Sequence, residues 1–260
     1  TVEITGAGGL LGNTDCHGTL DLPGISTMDG SNLITGTVNG QLVVFDYNST
    51  TQFSGTVNAS DFIAVYAPFE LQGGVINASF VDLQGQLTGS GTINGSVDLD
   101  GFGVQTTVSP GIDGDPIGLF TVAELNADSG TFIRMDLAGP TDLDQIIVTG
   151  DATLDGNLEL AFADGFVAQP GHCFEIISIG GTQNGTFENV VFPDGQDWEI
   201  EYHANGVRVR IPGACDADLS GDGVVDTADL LALLANWGST ENDLNDDGIV
   251  DTADLLLLLS

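Results

Sequence analysis

The sequence predicts a mostly β chain. A parallel β-solenoid (β-helix) runs into a longer β-rich stretch, and a small α-helical module built on two acidic loops follows. Three observations predict it. A Gly-x-apolar-Asx pattern recurs about every 18 residues through the first hundred. Glycine makes up 37 of 260 residues while hydrophobic residues stay at 42%, which reads as many short strands and tight turns around a real core. One acidic twelve-residue loop occurs twice between 216 and 254.

Residues 1–12 alternate briefly at Val2 and Ile4, then turn glycine-rich, reading as a first strand or a loose arm. The repeat follows as Gly18-Thr-Leu-Asp21, Gly36-Thr-Val-Asn39, Gly55-Thr-Val-Asn58, Gly74-Val-Ile-Asn77 and Gly91-Thr-Ile-Asn94. Its offsets are 18, 19, 19 and 17. A steady period carrying strand and turn residues in each copy marks coils that stack, because one coil cannot bury its apolar face alone. An Asx at a fixed corner can bond its own backbone or stack in a ladder, and glycine relieves crowding there. A sandwich of hairpins is the rival, and the absence of regular two-residue hairpin turns disfavours it. Asn-x-Ser/Thr sequons occur at Asn48, Asn58, Asn77, Asn94 and Asn184. Some are the repeat's own corner residues, so corner chemistry is the better reading than glycan attachment.

These repeats span 1–104. From about 105 the period fades, and a β-rich stretch runs to 212. Its strands include Gly130–Asp136, Asp144–Gly150, Asn157–Ala161, Phe174–Ile177 and Val207–Ile211. The last alternates strictly with its arginines on one side, so one face is solvated. The order Ser109-Pro-Gly111, Asp144–Gly150, Leu154-Asp-Gly-Asn-Leu158, Gly171–Ile176 and Gly185-Thr-Phe187 resembles the C-terminal part of large secreted bacterial autotransporter-like β-solenoid proteins. That resemblance implies a solenoid closing into an antiparallel β cap, and no reaction.

Residues 213–260 form the third part. In Asp218–Asp229 and Asp243–Asp254, oxygen side chains fall at loop positions 1, 3, 5, 9 and 12, with Gly at 6. A hard cation needs several close oxygens and a sharp turn at the sixth residue, which this spacing supplies. The pair resembles the type I dockerin, a module that binds a cohesin partner. By position the resemblance implies one calcium on Asp218, Ser220, Asp222, the carbonyl of Val224, Asp226 and Asp229. It implies a second on Asp243, Asn245, Asp247, the carbonyl of Ile249, Asp251 and Asp254. Each loop is expected to lead into a helix, the first stopping at Gly238. The family's partner positions hold Thr227-Ala228 and Thr252-Ala253. The usual basic residues after them are replaced by Leu230, Leu231, Leu233 and Leu234 in the first helix and by the run 255–259 in the second, of which Leu230, Leu231, Leu234, Leu255, Leu256, Leu258 and Leu259 are expected to reach a partner. Successive leucines cover every side of a helix, and a module this small cannot hide them all. Together with Trp237 they are the expected interaction surface.

Charge narrows the function further. There are 38 acidic residues against three arginines (Arg134, Arg208, Arg210) and no lysine, a formal net charge of −35. That excludes nucleic acid and anionic membranes as partners. It suits life among divalent cations, and the calcium loops point outside the cell, with a signal peptide expected to have been removed. No apolar run is long enough to insert in a membrane. Of Cys16, Cys173 and Cys215, two can bridge, Cys215 reaching either Cys173 or Cys16, or all can stay thiols. His17, His172 and His203 are scattered, and no nucleophile elbow or phosphate loop is present. No catalytic residue stands out. The expected function is an extracellular calcium-binding structural or adhesive protein that self-associates head to tail into a filament or surface layer. The alternatives are a component recruited to a cohesin scaffold and a polysaccharide-processing β-helix enzyme.

Overall fold

In the computed structural model the chain is mostly β-sheet, with two short helices, α1 (Thr227–Ala235) and α2 (Thr252–Leu258), after the last strand. The structure describes all residues except 1, 4–8, 23, 48, 100–104, 194, 212–216, 221–224, 245–247 and 260, and also leaves aside the side chains of 2, 3 and 9–11.

The strands pair in three parallel ladders. In the first, Leu20 pairs with Val38, Val38 with Val57, Val57 with Ile76 and Ile76 with Ile93. The column continues through Val122, Val148 and Ile179. Every member is buried. In the second ladder Met28, Phe45, Val65 and Leu83 follow one another in register. In the third, Ile34, Phe53 and Leu71 do so. The walls meet inside: the rings of Phe45 and Phe69 lie 4.8 Å apart, edge to face, and Phe53 lies 5.8 Å from Phe69. Long strands serve more than one wall by bending at bulges. Phe69–Leu83 shifts register between Gln72 and Gly74 and again between Asn77 and Phe80, since an unpaired residue kinks a strand.

The repeat's polar residues explain themselves once stacked. Asn39 donates its Nδ2–H to Asp21 Oδ1 at 2.7 Å. Asn58 donates to Asn39, Asn77 to Asn58 and Asn94 to Asn77, each at 2.8 Å. An amide is both donor and acceptor, so a column of asparagines satisfies itself. The glycines answer to crowding. A Cβ on Gly36 would sit 2.0 Å from the Gly18 carbonyl oxygen, and one on Gly55 would sit 1.9 Å from that of Gly36. Gly55→Ala is therefore expected to cost about 1–3 kcal/mol by forcing the paired strands apart. Gly18→Ala, whose Cβ meets nothing within 4 Å, should cost less than about 0.5 kcal/mol. Urea unfolding of the two variants checks the pair, and equal midpoints would contradict the crowding account.

The parallel stacking does not stop near 105. Hydrogen bonds between successive strands of the ladders span 17 residues at Asn94–Asn77, then 29 at Leu119–Ser90, 26 at Gly118–Asp144 and 31 at Thr182–Asp151. The period lengthens because the later turns carry inserted loops. Ladder pairing runs as far as Asn189–Val191. Antiparallel strand pairing, among the described residues, comes at the end: Cys173–Ile179 with Gly206–Arg210, and that strand with Glu199–His203. Val207 and Val209 point inward with no exposure. Arg210 reaches Glu199 at 2.9 Å and Glu201 at 2.8 Å, so the alternating face carries its arginines among glutamates. Phe162, Phe166, Phe174, Phe192 and Trp198 pack ring against ring beneath.

Cys173 is disulfide-bonded, and Cys16 is a buried free thiol. That removes Cys16 as a bridging residue; Cys215 lies outside the described residues. None of the described helices is long and apolar enough to cross a membrane.

Candidate metal centre

The two acidic loops end in matching helix starts. Asp226 caps α1: its Oδ1 accepts the Ala228 N–H at 2.7 Å, and Asp229 Oδ2 accepts the Asp226 N–H at 2.7 Å. Asp251 caps α2 likewise, with Ala253 N–H at 2.7 Å and Asp254 Oδ2 on the Asp251 N–H at 2.7 Å. These are capping boxes, in which two otherwise orphaned donors are satisfied reciprocally. Loop positions 9 and 12 are thus also the N-cap and third helical residue. The sequence carries that signal in Asp-Thr-Ala-Asp, a use beyond its metal spacing.

Asp229 and Asp254 are fully buried. Their remaining oxygens reach back into the loops: Asp229 Oδ1 accepts the Ser220 N–H and Asp254 Oδ1 the Leu244 N–H, both at 2.8 Å. Burial pushes the Asp229 carboxyl up. The N–H groups of Asp226 and Ser220, the Ser220 hydroxyl and its own N–H outweigh that and hold it below the usual carboxylate range. It is therefore kept as an anion, the form a cation needs.

At the first position of the second loop, Asp243 Oδ2 accepts the Gly248 N–H at 2.6 Å. Gly248 has φ +93, which explains the glycine at the sixth position. Among the described residues, Asp243 Oδ1 is buried without a hydrogen-bond partner. A buried carboxylate oxygen left unpaired is costly unless something positive meets it, so the residues present fit a cation here. In the first loop the Ser220 hydroxyl donates to Asp218 Oδ1 at 3.3 Å. Of the ligands expected from sequence, Asp222, Val224, Asn245 and Asp247 lie outside the described residues. Among the described residues, no group of three or more His, Cys, Asp or Glu side chains stands close enough to hold a metal ion.

The helices close over a small core of Ala217, Leu233, Val250 and Leu258, with Leu219, Val225, Leu230, Leu244 and Leu255 packed against it. The backbone of Val250 bonds Ser239 O at 2.8 Å and receives the Gly238 N–H at 2.9 Å, tying the second loop to the end of α1. The expected interaction residues divide. Leu231 is 67% exposed, Leu234 48%, Trp237 45%, Leu256 71% and Leu259 66%. Thr227, Ala228, Thr252 and Ala253 are exposed beside them, and Leu230 and Leu255 are half-buried. Leu258 is different: at 5% exposure it belongs to the core, because helical spacing turns it toward Leu233. Leu257 is the outward residue in its place.

The histidines have separate surroundings. His17 meets Thr35 and Asp15, His172 stacks on Phe166, and His203 meets Glu175.

No protein-family model matches the chain, and no curated protein matches its sequence.

Proposed function

We propose that the chain is an extracellular, calcium-dependent structural protein: a rigid β-solenoid with an antiparallel β cap, joined to its neighbours through the helical module of 213–260. The carrying observation is the pair of like-built loops. Each buries the aspartate at its twelfth position, the third helical residue of a capping box, and among the described residues the second leaves Asp243 Oδ1 unpaired. Two calcium ions on the residues expected from sequence would supply the missing positive charge. The three in-register ladders support the solenoid reading. The disulfide at Cys173 supports an oxidising compartment.

The joining surface is the leucine face. Leu231, Leu234, Trp237, Leu256, Leu257 and Leu259 leave a large share of a small module apolar and exposed, which marks an interaction site in a folded protein. A second copy of the chain is the favoured occupant. With a net charge of −35, copies repel unless cations screen them, so calcium would both build the surface and permit the contact. Exposed Thr227-Ala228 and Thr252-Ala253 favour one competitor, a cohesin-like partner.

Replacing Leu231 and Leu256 together by Asp is expected to leave the module folded, since both lie outside its core. It should weaken self-association in millimolar calcium by about tenfold or more, because two apolar contacts are lost. Sedimentation velocity reads this directly. Undiminished association of the double variant would overturn the leucine face as the joint, and tight binding to a cohesin by monomeric protein would favour the competitor.

A further inference from the structure

Away from the module, an open cleft of about 730 Å³ crosses the outer side of the third ladder. One wall is a column of outward residues, one per coil: Gln52, Glu70, Thr88 and Ser109. The other wall is the segment 110–117, inserted where the chain leaves that ladder. It is pinned by a reciprocal pair, Gly89 N–H to Gly111 O at 2.7 Å and Gly111 N–H to Gly89 O at 2.8 Å. Behind it the fully buried Asp144 accepts the Gly118 N–H at 2.7 Å and the Asp136 N–H at 2.8 Å. One carboxyl thus ties the root of the loop to the strand carrying Asp136, whose side chain lines the cleft. Asp164, at the cleft's edge, holds φ +51, a backbone state that tends to persist where surroundings demand it.

The lining has one sign. Glu70, Asp113, Asp136 and Asp164 are its charged residues, and it contains no Arg, Lys or His. Gln52 Nε2 donates to Glu70 at 3.4 Å, and Gln72 Nε2 donates to its other oxygen, so that carboxylate is held in place. Rungs of amide, carboxylate and hydroxyl recur about every 4.8 Å along a parallel ladder, close to the length of one pyranose ring.

We infer that this cleft binds a linear glycan carrying free amines, such as a β-1,4-linked glucosamine oligomer. Its hydroxyls meet Gln52, Thr88 and Ser109, and its ammonium groups meet Glu70 and Asp136. Acidic glycans are excluded by the charge of the lining. Among the described residues no aromatic platform is exposed there, so affinity comes from charge-assisted hydrogen bonds and falls with salt.

The test titrates the full chain, in calcium, with a short glucosamine oligomer by calorimetry. Saturable binding at one oligomer per chain is expected, with the N-acetylated oligomer much weaker. Glu70→Gln, or Asp113→Asn on the exposed loop, should weaken it about tenfold, while Asp61→Asn, which removes one charge outside the cleft, leaves it unchanged. Three results would each overturn the inference: no saturable binding, an equal loss with Asp61→Asn, or equally tight binding of an oligolysine of the same charge. The last two would mean that the protein's net field alone attracts polycations.

Discussion

Excess chelator is expected to unfold residues 213–260 while the β part stays folded. The module's fully buried apolar core consists, among the described residues, of Ala217, Leu233, Val250 and Leu258, too little to hold two short helices against the entropy of ordering them. On the proposed reading the balance comes from the ions. Ligand held at a hundred times its dissociation constant stabilises a fold by about 2.7 kcal/mol per site, so removing two ions would cost roughly twice that. The β part is expected to show no such dependence, because its apolar core is continuous from Cys16 to Ile211. Circular dichroism separates the two, because helix and strand signals differ. The helical signal should vanish with chelator and return with calcium, with the urea midpoint of the β transition unmoved. Trp237 is 45% exposed and Trp198 is buried among Phe162, Phe174 and Phe192, so fluorescence should report on both parts. Asp243→Ala should raise the calcium concentration needed for refolding at least tenfold, since it removes the proposed first ligand of one loop and the anchor of Gly248. A helical signal indifferent to chelator would remove the metal from the account.

Asp144→Ala is expected to destabilise the β part by about 2–6 kcal/mol, because it leaves the buried N–H groups of Gly118 and Asp136 without acceptors, at roughly 1–3 kcal/mol each. The pH dependence gives this residue a signature. Burial pushes the Asp144 carboxyl up from 3.8 to about 8; the N–H groups of Asp136 and Gly118 oppose the rise, and the nearby Asp136 carboxylate adds to it. The carboxyl is therefore neutral in the folded chain over a range where it is ionised in the unfolded one. Its contribution to stability is complete below about pH 4 and is lost as pH rises through about 8, by at most about 1.4 kcal/mol per pH unit. Asp144→Asn keeps one acceptor oxygen but cannot titrate. The stability gap between the wild type and Asp144→Asn should then narrow from pH 5 to pH 8. A gap independent of pH would mean that Asp144 is ionised throughout.

The repeat was legible because its residues act locally and identically in every copy. Gly36 and Gly55 are forced by a neighbouring carbonyl, and Asn39, Asn58 and Asn77 by their own column, so period and chemistry coincide in the sequence. Past Ser109 the same stacking holds, but loops such as 110–117 change the spacing, and a reading based on constant period loses it. Asp144 gave no signal: its neighbours are strand residues, and its partners, Gly118 and Asp136, are backbone groups that any sequence supplies. In the module, the two helix starts could be read, since each acidic loop is expected to lead into a helix. The direction of each leucine could not, because five in a row have no polar side to orient them. The fold turns Leu258 inward and Leu257 outward through the capping aspartates that start α2.

Electron microscopy of the intact chain, with millimolar calcium and with excess chelator, tests the central claim most directly. The account predicts filaments or ordered layers in calcium that disperse to single particles on chelation. Single particles under both conditions, at concentrations where calcium binding is saturated, would contradict it.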